Sequence, residues 1–420
     1  MKILTIPYVY GGASHLIPLM VMHHNFLSKN SENCNYFLAD VKKHDMLKFL
    51  GMNVIPLNYS PTKTRIEKIK LNIKHLENKT SNHNKLKASN EIIEFNIKHL
   101  ENKIKAIESQ ALKFFKPDII LEDFCYNAPA LARKYNIPRI SIQRTGMFRN
   151  IPVEKRNIGH VHSLEKGLNN ISTLKNTSSF SNSNFSNYLK EYTESEVKII
   201  PGIPSIELLP TSLPNKNSYF YSGPLILKIH PSQSLKANLS LFFQRNKNKK
   251  KVYITTGLVD QSNITAYINL LLKKNYAIIT NHDVSSIRSN AIFSKKILPL
   301  DYICSQVDLV IHHCGSGMYH YPILNQKPSI TIGTQCFDRE DIALRLQELG
   351  VSMHTPNPND DKLHLLVFEE YLHKFEKGSL CNFDQLLKLE REIELIKHTF
   401  SFEKVIRFIL GKQKLDEKHK

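Results

Sequence analysis

The chain has 420 residues, 41% of them hydrophobic, and a formal net charge of +19 at pH 7. That length exceeds what one hydrophobic core sustains, so two domains are expected, and with no apolar stretch near the roughly 18 residues of a bilayer span and no signal-peptide pattern, a soluble, cytoplasmic protein is expected. The lysines are spread among asparagines and isoleucines, and the runs at 247–251 and 412–420 lack interleaved aromatics; this points away from a nucleic-acid partner and leaves peripheral contact with an anionic membrane surface, or an acidic acceptor, as what the charge would serve.

Residues 2–8 form an apolar strand, followed by the turn Gly11-Gly12-Ala13-Ser14-His15-Leu16-Ile17-Pro18 and a helix expected over 18–29. This is a first βα unit, with His15 in the turn at the carboxyl edge of the strand. A histidine titrates near neutrality and suits proton transfer, although a hydrogen-bonded loop histidine would look the same. Strands are expected at 36–39 and 54–57. The octapeptide at 72–79 recurs letter for letter at 96–103, which reads as two amphipathic helices from a local duplication, lengthening a surface hairpin or reshaping a neighbouring pocket.

Residues 117–123 read as a strand ending in Glu122 and Asp123. Alternation along a strand sends these two carboxylates to opposite faces, and Asp123 is a candidate helix N-cap, a role compatible with holding a histidine. A further strand covers 139–142. Residues 173–195 are rich in Ser, Asn and Thr and cannot build a core. Prolines and glycines at 200–204 and 221–225 mark a link, with a domain boundary near Pro224.

The second half restarts with a strand at 251–255 and the turn Thr256-Gly257, then strands at 276–280 and 296–298. The densest pattern lies in 308–353. An apolar strand runs into His312-His313, then a tight turn with Gly315-Ser316-Gly317, then a helical segment to 325. Such a turn aims backbone N–H groups and a helix N-terminus at one spot, a site for a phosphate or diphosphate. Cys314 is a small turn residue or a reactive thiol at that terminus. The six cysteines show no metal-ligand spacing and read as reduced thiols. After Lys327-Pro328 come a strand at 329–332, a polar loop carrying Asp338, and an amphipathic helix through Ile342, Leu346 and Leu349, stopped by Gly350. Two successive strand-to-helix turns present their loops at one carboxyl edge, where open α/β sheets bind ligands.

Taken together, these stretches resemble family 1 glycosyltransferases of the GT-B fold, related to UDP-glycosyltransferases. His313-Cys314-Gly315-Ser316-Gly317-Met318 stands against the family's His-x-Gly-x-Gly-Thr, Gln326-Lys327-Pro328 against Gly-x-Pro, and Asp338-Arg339-Glu340-Asp341-Ile342-Ala343 against Asp-Gln-x-x-Asn-Ala. Ser14-His15-Leu16-Ile17-Pro18 is similar to its Gly-His-x-x-Pro turn. Met318, Arg339, Ile342 and Leu258 depart from the pattern.

The resemblance implies two Rossmann-like doubly wound domains facing a cleft: 1–223 for the acceptor, 224–399 for the nucleotide sugar, and 400–420 as a helix crossing back with a basic tail. It implies an inverting enzyme that moves a sugar from a UDP- or dTDP-sugar to a hydroxyl of a small-molecule or lipid acceptor, as in natural-product glycosylation. His15 would be the general base, oriented by Asp123. Gly12, Thr256, Gly257, His313, Gly315, Ser316 and Gly317 would surround the diphosphate, Leu298 would lie beside the nucleobase, and Asp338 with Arg339 would meet the sugar. Arg339 suits an acidic sugar such as a uronic acid, or else pairs locally with Asp338, Glu340 or Asp341. No metal and no cofactor beyond the nucleotide sugar are implied. The alternatives are a catalytically silent GT-B subunit that binds a nucleotide sugar, and a nucleotide-sugar epimerase of the same fold.

Overall fold

The computed structural model describes residues 1–7, 13–28, 34–40, 47–48, 50–57, 104–113, 115–123, 125, 128–144, 195–209, 216–256, 264–287, 289–334, 337–358 and 363–418. The duplicated octapeptides, the polar stretch 173–194, Gly12, Gly257 and Leu258 lie outside the described residues.

Two parallel sheets organise the molecule. The first holds β1 (Lys2–Pro7), β2 (Cys34–Asp40), β3 (Asn53–Leu57), β4 (Ile119–Asp123), β5 (Arg139–Ile142), β6 (Val197–Ile200) and β7 (Tyr219–Tyr221), in the spatial order β3-β2-β1-β4-β5-β6-β7. The second holds β8 (Lys251–Thr255), β9 (Ala277–Thr280), β10 (Ile292–Ser294), β11 (Leu309–His312), β12 (Ser329–Ile332) and β13 (Ser352–Thr355), in the order β10-β9-β8-β11-β12-β13. Strands covered on both faces read as unbroken apolar runs. Accordingly every residue of β4 and β11 is buried.

Helices cover each sheet on both sides. Leu16, Leu19 and Met20 of α1 (Ala13–Met22) share one core with Ile3, Leu121 and Ile140. On the opposite face Leu4, Ile6 and Ile120 meet α2 (Ala128–Tyr135) through Leu131 and Ala132. In the second sheet α3 (Gln233–Arg245) lies on one face, with Leu235 and Leu239 against Tyr253 and Ile279, and α4 (Ile264–Lys273) on the other, with Ile268 and Leu271 against Val252 and Ile278. The connections in this half continue with α5 (Leu300–Gln306), α6 (His320–Leu324), α7 (Phe337–Glu348), α8 (His364–Glu376), α9 (Phe383–Thr399) and α10 (Phe402–Lys418). Phe402, Val405 and Ile409 of α10 return to the first sheet and pack in the core that holds Leu16 and Leu19.

Four elements differ from the sequence expectation. The first helix begins at Ala13, so His15 sits in its first turn, and Pro18 is an interior residue and not the opening one. The third strand of the second half is Ile292–Ser294, paired Ile292 to Ile278, and residues 296–298 follow it outside the sheet; short apolar runs do not reveal their state by periodicity. The helix after the glycine turn is only the five residues His320–Leu324. Asp338 and Arg339 lie in the first turn of α7 and not in the loop before it; Gly350, at φ 70°, supplies the left-handed residue that ends that helix run.

Candidate active site

Both sheets reverse their winding direction beside their first strand, and in such sheets the crevice at the reversal is where ligands enter. In the first sheet the reversal separates β1 from β4, and register places Pro7 opposite Asp123, the last residues of the two strands. In the second it separates β8 from β11, and register places Thr255 opposite His312. The residues just beyond these four ends are His15 on one side, and Thr256 and His313 on the other.

His15 Nδ1 lies 2.9 Å from Asp123 Oδ1. Arg144, two residues past β5, donates from Nη1 to Asp123 Oδ1 at 2.9 Å and from Nη2 to Oδ2 at 3.0 Å. Asp123 is 0% exposed and Arg144 4%. Burial pushes the Asp123 carboxyl up, but the Arg144 guanidinium and the His15 hydrogen bond outweigh it and hold the group below its ordinary value. Asp123 is therefore an anion that only accepts. Glu122 faces the other side, as alternation requires: Arg139 Nη1 donates to it at 2.8 Å and the Cys125 amide at 2.9 Å. The Cys125 amide lies ahead of α2, so this second bond holds the turn after β4. Arg144 escaped the sequence reading; its one signal was a cation just past the carboxyl end of the strand next to β4.

Across the cleft, the Thr256 amide donates to His282 Nε2 at 2.9 Å, which turns it away from a ligand. The Cys314 amide donates to His312 Nδ1 at 3.0 Å, so that ring carries its hydrogen on Nε2. Cys314 is buried in the core formed with Tyr319, Ile323 and Leu346 and has left-handed φ of 56°; a buried thiol in that setting is a packing residue and not a reactive one. The Met318 amide closes the turn onto the Gly315 carbonyl at 2.8 Å. A Cβ on Gly315 would come within 2.8 Å of His313 Nε2, so glycine is needed for the ring to lie over the turn. A Cβ on Gly317 would meet nothing within 4 Å, and among the described residues no acceptor takes the amide hydrogens of Ser316 and Gly317.

His313 is buried, and burial first, then the positive charge of Arg339, lower its pKa to about 3. It is therefore neutral at physiological pH, and the ring carries no charge to set against an anion. The cation at this spot is Arg339. The Glu340 carboxylate is engaged elsewhere, accepting from the Thr334 amide and lying 2.9 Å from His354 Nε2, and among the described residues Arg339 has no ion-pair partner. Leu298 is buried against Ile303 and Val310. The turn is tied to the link between the sheets: the Tyr319 hydroxyl donates to Glu207 Oε1 at 3.0 Å, and Tyr221 Oη to the Glu207 carbonyl at 2.5 Å. Among the described residues no cluster of three metal-ligating side chains occurs and no helix is long and apolar enough to cross a membrane.

No protein-family model and no curated protein matches the chain. Solved structures do. The calicheamicin glycosyltransferase CalG4 superposes with a TM-score of 0.62 at 12% identity, covering 94% of this chain and 94% of its own. The spinosyn rhamnosyltransferase SpnG, complexed with thymidine diphosphate, gives 0.59 at 12% identity over 94% of this chain and 96% of its own; it is also known complexed with spinosyn aglycone. The spinosyn forosaminyltransferase SpnP gives 0.57 at 15% identity, covering 99% of both chains.

Proposed function

We propose, from a chain that has the GT-B fold, that it is a glycosyltransferase moving a sugar from a nucleoside-diphosphate donor to a hydroxyl of a small-molecule acceptor, with inversion. The observation that carries this reading is the pairing of two different chemistries at the two winding reversals: a histidine–carboxylate pair on the first sheet and a glycine turn with open amides on the second. Residues 1–223 would hold the acceptor and 224–399 the donor, with 400–420 crossing back.

In this mechanism His15 Nε2 takes the proton of the acceptor hydroxyl as its oxygen forms a bond to the anomeric carbon. Asp123 accepts from Nδ1 and stabilises the ring once protonated. The bond from that carbon to the diphosphate oxygen breaks, and its electron pair leaves with the diphosphate. The amides of Ser316 and Gly317 donate to the departing anion, the neutral His313 ring lies over Gly315 beside them, and Arg339 supplies charge. Asp338 would meet sugar hydroxyls.

The neighbour complexed with thymidine diphosphate supports a thymidine nucleotide ahead of a uridine one, and the aglycone complex supports a small organic acceptor. The His15–Asp123 contact speaks against the silent-subunit reading, because binding a nucleotide sugar alone needs no base. The test is incubation with dTDP- and UDP-sugars, with and without a panel of hydroxylated acceptors, following donor, product and anomeric configuration by NMR. Transfer with inverted configuration supports the reading. Donor converted without acceptor would instead make the chain an epimerase, and binding without turnover on any acceptor would make it a silent subunit.

A further inference from the structure

We propose that Arg144 is a positioning residue that fixes which nitrogen of His15 is the base. The proposal rests on the reading of His15 as general base, and it concerns a residue outside the motifs that suggested that reading.

The guanidinium is permanently charged and presents a planar fork that matches both carboxylate oxygens. Here it occupies both: Oδ1 receives Nη1 at 2.9 Å, Oδ2 receives Nη2 at 3.0 Å. A buried carboxylate with only a neutral imidazole for company gains by taking up a proton, because burial penalises its charge. The protonated acid then donates to His15 Nδ1, the ring hydrogen moves to Nε2, and the nitrogen facing the acceptor loses its lone pair. Arg144 closes that route. With both oxygens already receiving hydrogens from a fixed cation, Asp123 stays ionised and the hydrogen between it and His15 belongs to Nδ1. Nε2 keeps its lone pair.

The same guanidinium lies close enough to Tyr319 to act on its hydroxyl, whose hydrogen bond goes to Glu207. Arg144 thus faces Asp123 from β4 and acts on Tyr319, which has Glu207 behind it. Arg144 links the proton-transfer pair to the turn proposed to hold the donor.

The experiment measures the ring ¹⁵N shifts of His15, steady-state kinetics, and nucleoside-diphosphate affinity in wild type, Arg144→Gln, Arg144→Lys and His15→Ala. The wild-type ring is expected in the Nδ1–H form. Arg144→Gln is expected to show a population with the hydrogen on Nε2 and a kcat lower by about ten- to a hundredfold, less than the ~10²–10⁴ that the positioned base as a whole contributes, while nucleotide affinity is unchanged. Arg144→Lys keeps the charge and is expected to retain the Nδ1–H form with intermediate turnover, so it carries the test where the glutamine variant fails to fold. A pure Nδ1–H ring with wild-type kcat in Arg144→Gln, or in Arg144→Lys a lost Nδ1–H form with turnover kept, overturns the proposal. Wild-type turnover in His15→Ala sinks the base assignment itself, whatever Arg144 does.

Discussion

The Tyr319 hydroxyl donates to Glu207 Oε1 at 3.0 Å, joining the residue after the glycine turn to the segment that connects the two sheets. Both side chains are buried. Burial, then the neighbouring Glu207 charge, drive the phenol far above its ordinary pKa, so it stays a donor at any working pH. Ile203 and Ile206 of the same connecting segment share a core with Tyr319 and Ile323. The glycine turn and the connecting segment are therefore packed as one unit.

Tyr319→Phe keeps the packing and removes the hydrogen bond. Taking one partner from a buried, charged acceptor costs about 1–3 kcal/mol. Chemical denaturation should show a loss in that range, with weaker nucleoside-diphosphate binding because the turn is less firmly held; unchanged stability would show the bond to be dispensable.

His15→Ala is expected to lower kcat by ~10²–10⁴ with nucleotide affinity intact, since the base acts on the acceptor from the other sheet. Asp123→Asn should also slow turnover without changing donor binding. It would, besides, leave the Arg144 guanidinium buried without its carboxylate, so its melting temperature should fall more than that of His15→Ala. Kinetics, calorimetry and thermal denaturation on the same three proteins check all of this.

His312, His313 and His320 each have pKa values lowered from 6.5 to about 3, first by burial. Their folded values lie below the unfolded ones, so on acidification the unfolded chain takes up protons before the folded one does. Stability is then full above about pH 6.5 and is lost progressively as the pH falls toward 3. Each such proton contributes a slope of about 1.4 kcal/mol per pH unit in that window. Denaturant titrations at stepped pH should show the decline, and His313→Gln should make it shallower.

Arg339→Gln removes the charge beside His313. A hydrogen bond to a charged phosphate contributes about 1.5–3 kcal/mol, so affinity for the bare nucleoside diphosphate should fall roughly one to two decades. Competing glucose and glucuronic acid donors locate the charge further. If bare-diphosphate affinity is unchanged and only the glucuronic acid donor suffers, Arg339 serves the sugar and not the phosphate.

The strands were legible because buried parallel strands carry short apolar runs, as Ile119-Ile120-Leu121 and Val252-Tyr253-Ile254 do. The order of winding then followed, and with it the two carboxyl edges, one carrying His15 with Asp123 and the other His313. Arg144 was hidden because nothing local pairs it with a carboxylate 21 residues earlier; only the adjacency of β4 and β5 does. The neutrality of His313 was hidden too, since its charge state depends on burial and on Arg339, a residue from the next turn of the sheet. Pro18 misled by resembling a first-turn proline, which fixed the expected helix start five residues late. Glu340 looked free for Arg339 and is instead held by Thr334 and His354, a partner from β13 that no short-range pattern names.

Helix α10 packs Phe402, Val405 and Ile409 into the core under β1, and its neighbourhood adds edge-on contacts of Phe400 with Phe26 and Phe408 with Phe220. In order of synthesis this means that the sheet made first is finished last. While the second sheet is still emerging, the face of the first one that α1 covers stays only partly closed, and it is completed when residues encoded beyond the whole second sheet arrive. The two sheets are thus separate in topology but not in assembly, and truncation before α10 would damage the half farthest from it in sequence.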